Sequence, residues 1–145
     1  MRVEFSNDTY KQVLENIIPF HKFLGLKVVK IEEGYLKIRV PFNKVLIGDP
    51  RIERWHGGVM ATILDAAGGG AALTYLKHPH DKISTMDMRI DYLKGGKPKD
   101  IVAEGWVIRK GTHTFHVKMK AYHQDDPEVT LAEGTAVMDI RLSNP

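Results

Sequence analysis

Between Gly57 and Leu76 the chain runs GGVMATILDAAGGGAALTYL, twenty residues that hold a single charge, Asp65. A stretch this apolar has to be hidden on nearly every side. Its length approaches what a membrane crossing requires. An aspartate near the middle and the run Gly68-Gly69-Gly70 suit an isolated span poorly, however, and no second such segment follows. The better solution is a helix enclosed by a sheet that wraps it. Each glycine costs roughly 1 kcal/mol against alanine inside a helix. That cost is sustained where a strand, or a second copy of the helix, must come close. A competing reading ends the helix near Ala67 and starts a loop there. The apolar run from Ala71 to Leu76 favours continuation.

The flanking segments supply the wrapping sheet. In the first 22 residues Tyr10, Val13, Leu14, Ile17 and Ile18 recur at helical spacing, Asn7 or Asp8 can cap, and Pro19 closes the pattern. From Leu24 the period changes. Leu26, Val28, Val29 and Ile31 predict a strand, Glu32-Glu33-Gly34 a turn, and Tyr35–Val40 a second, alternating strand. Residues 41–56 read as irregular. After the helix come four strand-like runs, Ser84–Leu93, Ile101–Arg109, Thr114–Tyr122 and Thr130–Arg141, separated by turn residues. One helix between two strands and four more predicts an α+β fold with an antiparallel sheet, as a single domain over residues 1–145.

Composition removes several chemistries. The chain has no cysteine, which excludes disulfides, cysteine-ligated zinc and a cysteine nucleophile. The net charge of +3 is spread along the chain rather than gathered into a stripe, so no nucleic-acid partner is expected, while a small anionic ligand is compatible. Met1 to Tyr10 carries no apolar core of a secretory signal, and a cytoplasmic protein without a membrane partner is expected. His78 and His80, or His113 and His116, invite a metal reading. On a strand the latter two face opposite sides, and no metal site is expected. No Gly-x-Ser-x-Gly nucleophile turn occurs.

Asp65 is then the informative residue. A carboxylate among apolar neighbours must be paired, protonated or open to a cavity. The plain structural alternative is an ion pair with Arg89 or Lys82. His56-Gly57-Gly58 changes the odds, because the first amides of a helix are unsatisfied and point at electron-rich guests. Such a terminus stabilises the oxyanion of acyl transfer. Gly57 and Asp65 lie eight residues apart, roughly 12 Å along one helix, too far for both to reach one carbonyl carbon. Two antiparallel copies about a two-fold axis bring one protomer's amide to the other's carboxylate, so this chemistry implies a dimer.

The stretch His56-Gly57-Gly58-Val59-Met60-Ala61-Thr62-Ile63-Leu64-Asp65 resembles the signature of hotdog-fold thioesterases of the phenylacetyl-CoA thioesterase type. The run Ser84-Thr85-Met86-Asp87-Met88-Arg89-Ile90-Asp91-Tyr92-Leu93 resembles that family's next segment, and the similarity in order spans about residues 22–141. The resemblance implies a hotdog fold, a six-stranded antiparallel sheet around one long helix, and hydrolysis of an acyl-CoA thioester. It implies that Asp65 activates water or attacks the thioester itself, that the Gly57 amide, with or without Gly58, holds the carbonyl oxygen, that His56 shapes the turn, and that Thr85 orients water. The basic turn Arg109-Lys110-Gly111-Thr112 resembles the part that meets the nucleotide phosphates of coenzyme A; its plain alternative is a solvated hairpin. No cofactor is implied. The assembly implied is a homodimer or a dimer of dimers, hence a homotetramer in the latter case, and the setting is fatty acid metabolism. The chain departs from the family before His56. Members often carry an asparagine six residues earlier, where Pro50 stands in a loop that looks lengthened; Asn43 and Asp49 are its possible substitutes.

Two other functions fit the same outline. A hydratase or dehydratase would need a histidine base, for which His56 is the candidate. A non-catalytic acyl-CoA-binding module would keep the pocket but has no use for Asp65.

Overall fold

A computed structural model describes residues 5–144 of the chain. The first four residues of the expected N-terminal helix lie outside the described residues. Helix α1 spans Asn7–Gln12, followed by a π-helical turn Val13–Ile17 and helix α2 at Pro19–Leu24. Strands β1 (Lys27–Glu32) and β2 (Tyr35–Val40) come next, then a short hairpin of β3 (Ile47–Asp49) and β4 (Arg54–Trp55). Helix α3 spans Gly57–Leu73, and β5 (Lys82–Tyr92), β6 (Ile101–Lys110), β7 (Thr114–His123) and β8 (Asp126–Arg141) complete the chain.

Six strands form one antiparallel sheet in the order β1-β2-β6-β7-β8-β5. This is the α+β hotdog architecture the sequence predicts. Helix α3 lies across the inner face. Leu36 and Ile38 of β2, Phe115 and Val117 of β7, and Met138 and Ile140 of β8 are buried against it. Period-two alternation sends these residues inward and their neighbours out. The helix comes close enough that a Cβ at Gly105 on β6 would collide with the Ala67 carbonyl. A Cβ at Gly70 would collide with Leu36. The glycine run is therefore continuous helix, and α3 ends at Leu73 rather than Leu76.

Three local expectations need correction. The N-terminal helix is broken, not single: Pro19 opens α2 instead of closing the pattern, because its missing N–H and fixed φ suit a first helical position. The cap of α1 is Ser6, in a reciprocal pair with Thr9, rather than Asn7 or Asp8. The segment read as irregular contains the β3–β4 hairpin, which packs so tightly on the start of α3 that a Cβ at Gly48 would lie 2.8 Å from the His56 Cα.

The broken arm is fastened over α3. Tyr10 Oη lies 2.9 Å from the Thr74 carbonyl and 2.6 Å from the Leu76 carbonyl, which share its one proton. Glu15 accepts from the Val28 amide at 2.8 Å. The arm thereby roofs the space between α3 and the sheet edge.

Candidate active site

Asp65 stands in the middle of α3 on the side facing β5. Thr85 Oγ1 donates to its Oδ1 at 2.7 Å. The two residues are twenty apart in sequence, and a β-bulge joins them. In the β5–β8 ladder Thr85 opposes Met138 and Asp87 opposes Val137, leaving Met86 as the extra residue. Before the bulge Ile83 and Thr85 oppose the inward residues Ile140 and Met138; after it Met88 and Ile90 take the inward positions. A bulge that reverses strand parity beside this carboxylate re-aims the side chains around it.

No cation pairs with Asp65 among the described residues. Arg89 instead contacts Asp91, at 3.3 Å. The ion-pair alternative with Arg89 or Lys82 therefore fails. Asp65 and Thr85 open on a cavity of about 160 Å³. Its other walls are mostly apolar, with Leu14 and Ile18 from the arm, Leu73 from α3 and Met138 from β8. Gly69 keeps it open: a Cβ there would meet only the Met138 Cε, at 3.8 Å.

The start of α3 has its own arrangement. His56 is the N-cap, and its Nδ1 accepts from the Gly58 amide at 2.9 Å. The Gly58 N–H is thus committed to His56. The Gly57 N–H makes no hydrogen bond among the described residues, so of the two it is the donor left free. Tyr92 Oη donates to the Gly57 carbonyl at 2.8 Å and fixes that peptide unit. Because Nδ1 accepts, the neutral His56 ring carries its proton on Nε2. Neither nitrogen of His56 then offers a lone pair to a substrate, which removes His56 as the base that a hydratase would require. His56, Gly57 and Gly58 are all exposed.

The proposed replacements for the family's loop asparagine are both occupied. Asn43 Oδ1 accepts from the Val45 amide at 3.1 Å. Asp49 is held in a two-point contact by Arg51, whose hydrogen bond lowers its carboxyl below the usual value.

At the far end of the sheet a second bulge, at Ile108, decides which of the neighbours Arg109 and Lys110 faces inward. Lys110 opposes Phe115 on the inner face and Arg109 opposes His116 on the outer face. The Lys110 ammonium lies 4.7 Å from the Tyr75 ring centre, and Arg109, Lys110 and Thr112 are all exposed.

One cavity residue is absent from the sequence reading. His21, on α2, borders the same space as Asp65. Its Nδ1 lies 2.9 Å from the Leu14 carbonyl. Burial pulls the ring's pKa below 6.5, against the opposing pull of the Leu14 hydrogen bond and of the Asp65 charge. The available signal was a polar residue just past Leu14, Ile18 and Pro19, whose significance depends on the helix break.

No group of three or more histidine, aspartate or glutamate side chains suited to a metal ion occurs among the described residues. No helix among them is long and apolar enough to cross a membrane.

The sequence pattern of the thioesterase superfamily matches residues 53–130, which contain α3, β5, β6 and β7. The medium/long-chain acyl-CoA thioesterase YigI of Salmonella typhimurium is 25% identical over 130 residues, covering 81% of this chain and 84% of that protein. A solved structure from Shewanella oneidensis, described as related to the thioesterase superfamily, is 27% identical with a TM-score of 0.82, covering 92% of this chain and 94% of that one. The E. coli PaaI protein from the phenylacetic acid degradation operon shares the fold at 18% identity, with a TM-score of 0.75 over 87% of this chain and 86% of its own.

Proposed function

On the premise that this chain belongs to the thioesterase superfamily and is a thioester hydrolase, we propose that it hydrolyses an acyl-CoA to the free acid and coenzyme A, with Asp65 as general base. The observation that carries this reading is the Asp65–Thr85 pair, a carboxylate without a cation at the wall of an apolar cavity. Thr85 occupies one carboxylate oxygen and leaves Oδ2 for chemistry. With its O–H donated in a hydrogen bond to Asp65, the Thr85 hydroxyl keeps lone pairs that accept from a water molecule. A water held between Oδ2 and Thr85 turns its own lone pair toward the thioester carbon.

Water oxygen then bonds to that carbon while its proton passes to Asp65. The carbonyl oxygen becomes an oxyanion, stabilised by the free Gly57 amide and the positive end of α3. Collapse breaks the C–S bond, and the coenzyme A thiolate takes up the proton from Asp65.

Gly57 and Asp65 of one copy are too far apart for this, about 12 Å along the helix axis. We therefore assign each site to two protomers, one giving the carboxylate and its partner the amide. The sheet edge supports this. Strand β5 is an edge strand whose outer hydrogen-bonding side has no neighbour in the six-stranded sheet, and Met86, Tyr92 and Leu93 expose apolar surface along it at 61%, 57% and 57%. An uncovered strand of eleven residues is a template for a second copy. A dimer, or a dimer of dimers, follows from the reading, and we propose the cytoplasm as its location.

Lys110 and Arg109 remain the proposed contacts for the coenzyme's phosphates, with Thr112 beside them. The test is thiol release from a series of acyl-CoAs, repeated with acyl thioesters that lack the nucleotide. Lys110→Ala and Arg109→Ala should each raise KM for the acyl-CoA several-fold and leave KM for the truncated ester unchanged. Absence of thiol release from every acyl-CoA tried would refute the proposed activity. Equal KM changes on both ester types would refute the phosphate contacts.

A further inference from the structure

His21 gives the cavity a polar point that the hydrolytic chemistry does not use. The Leu14 carbonyl can only accept, so the Nδ1 beside it carries the ring proton. In the neutral ring Nε2 is then a bare acceptor. Nε2 makes no hydrogen bond among the described residues, where every sealed side-chain nitrogen and oxygen has a partner. Nε2 is therefore accessible rather than sealed, and His21 lines the cavity of Asp65 and Thr85. Burial keeps the ring in its neutral, accepting form at neutral pH.

The cavity is small. At about 160 Å³ it holds roughly five water molecules, so an acyl group that fills it lies against both Asp65 and His21. A plain alkyl chain would displace water from Nε2 and offer nothing in return. A buried acceptor left without a donor is costly. A hydroxyl on the acyl chain would meet the requirement, and a site built around such a bond rejects the analogue that lacks it far more strongly than an apolar site distinguishes chain lengths.

The geometry points to His21 as a specificity residue whose Nε2 accepts a hydrogen bond from a hydroxyl on the acyl group, so that the enzyme prefers hydroxyacyl thioesters to plain alkyl ones. This rests on the reading of the cavity as the acyl site of a thioester hydrolase. His21 touches the acyl group and takes no part in proton transfer to or from the thioester.

The test compares hexanoyl-CoA, 3-hydroxyhexanoyl-CoA, 6-hydroxyhexanoyl-CoA and the methyl ethers of both hydroxy esters. The ether accepts but cannot donate, and so separates hydrogen bonding from size. For the wild type, kcat/KM for at least one hydroxy ester should exceed that for hexanoyl-CoA and for the matching ether by roughly 5- to 100-fold. In His21→Phe that ratio should fall to near one. In His21→Gln, which retains an acceptor, part of it should return. A ratio measured within one variant is independent of its folded fraction. Wild-type ratios near one, or ratios unchanged in His21→Phe, would overturn the proposal while thiol release still upheld the thioesterase reading. If no ester is turned over, that reading fails, and calorimetric binding of the same esters to wild type and His21→Phe decides the role of His21 by the same ratios.

Discussion

Replacing Asp65 with asparagine separates catalysis from architecture. The amide oxygen of asparagine can still accept from Thr85 Oγ1, so the 2.7 Å contact survives. No cation is left behind, since none pairs with Asp65 among the described residues. The folded state loses almost nothing, and the melting temperature should stay within about 2 °C of wild type. The amide has no basicity, however. Loss of a general base costs about two to four decades of rate, or about 3–5 kcal/mol of barrier. The assay is kcat for thiol release and thermal unfolding on one preparation. A purely structural carboxylate gives the reverse pattern. Removing one member of a buried pair costs about 3–5 kcal/mol, a fall in melting temperature of roughly 10 °C, with turnover per folded molecule unchanged. That second result would refute the role assigned to Asp65.

The two-protomer site predicts that Asp65→Asn and Gly57→Pro subunits, each inactive alone, recover about a quarter of wild-type activity when mixed and exchanged, because half the dimers are mixed and one of their two sites is intact. Proline is well suited to the first helical position and removes only the amide donor; mixtures that stay inactive despite demonstrated exchange would place both groups in one chain. Acid unfolding provides a prediction away from the site. Burial alone would raise the Asp81 carboxyl, but hydrogen bonds from the Ser143, Lys77 and His78 amides and from the Ser143 hydroxyl outweigh it and bring its pKa to about 2. A depressed folded pKa contributes stability above the unfolded value of 3.8 that is lost as pH falls toward 2. The gap in melting temperature between wild type and Asp81→Asn should therefore be constant near neutrality and shrink between pH 4 and 2; a gap independent of pH would refute it.

The central helix was legible because a twenty-residue run with one charge has few places to go. The six strands were legible because alternation and turn residues mark them. What the sequence hid were the departures from period. The bulges at Met86 and Ile108 reverse strand parity without any compositional mark: the first sets Thr85 and Met88 on the same face, and the second turns Lys110 rather than Arg109 inward. The helix break at Ile18 hid His21 in the same way: helical spacing continues through it, while the chain turns and brings a histidine into the cavity. The commitment of the Gly58 amide to His56 is a matter of one ring's orientation, which residue types alone do not specify.

The contact of Gly105 with the Ala67 carbonyl seats the helix on backbone rather than on side chains. The height of α3 above the sheet is thus set here by peptide groups, whose size stays fixed as long as position 105 is glycine. Core side chains elsewhere can vary, and Gly69, Leu73 or His21 can be exchanged to admit another acyl group, without lifting Asp65 away from Thr85. A lineage built on this contact can change what it hydrolyses while the distance that performs the hydrolysis stays fixed.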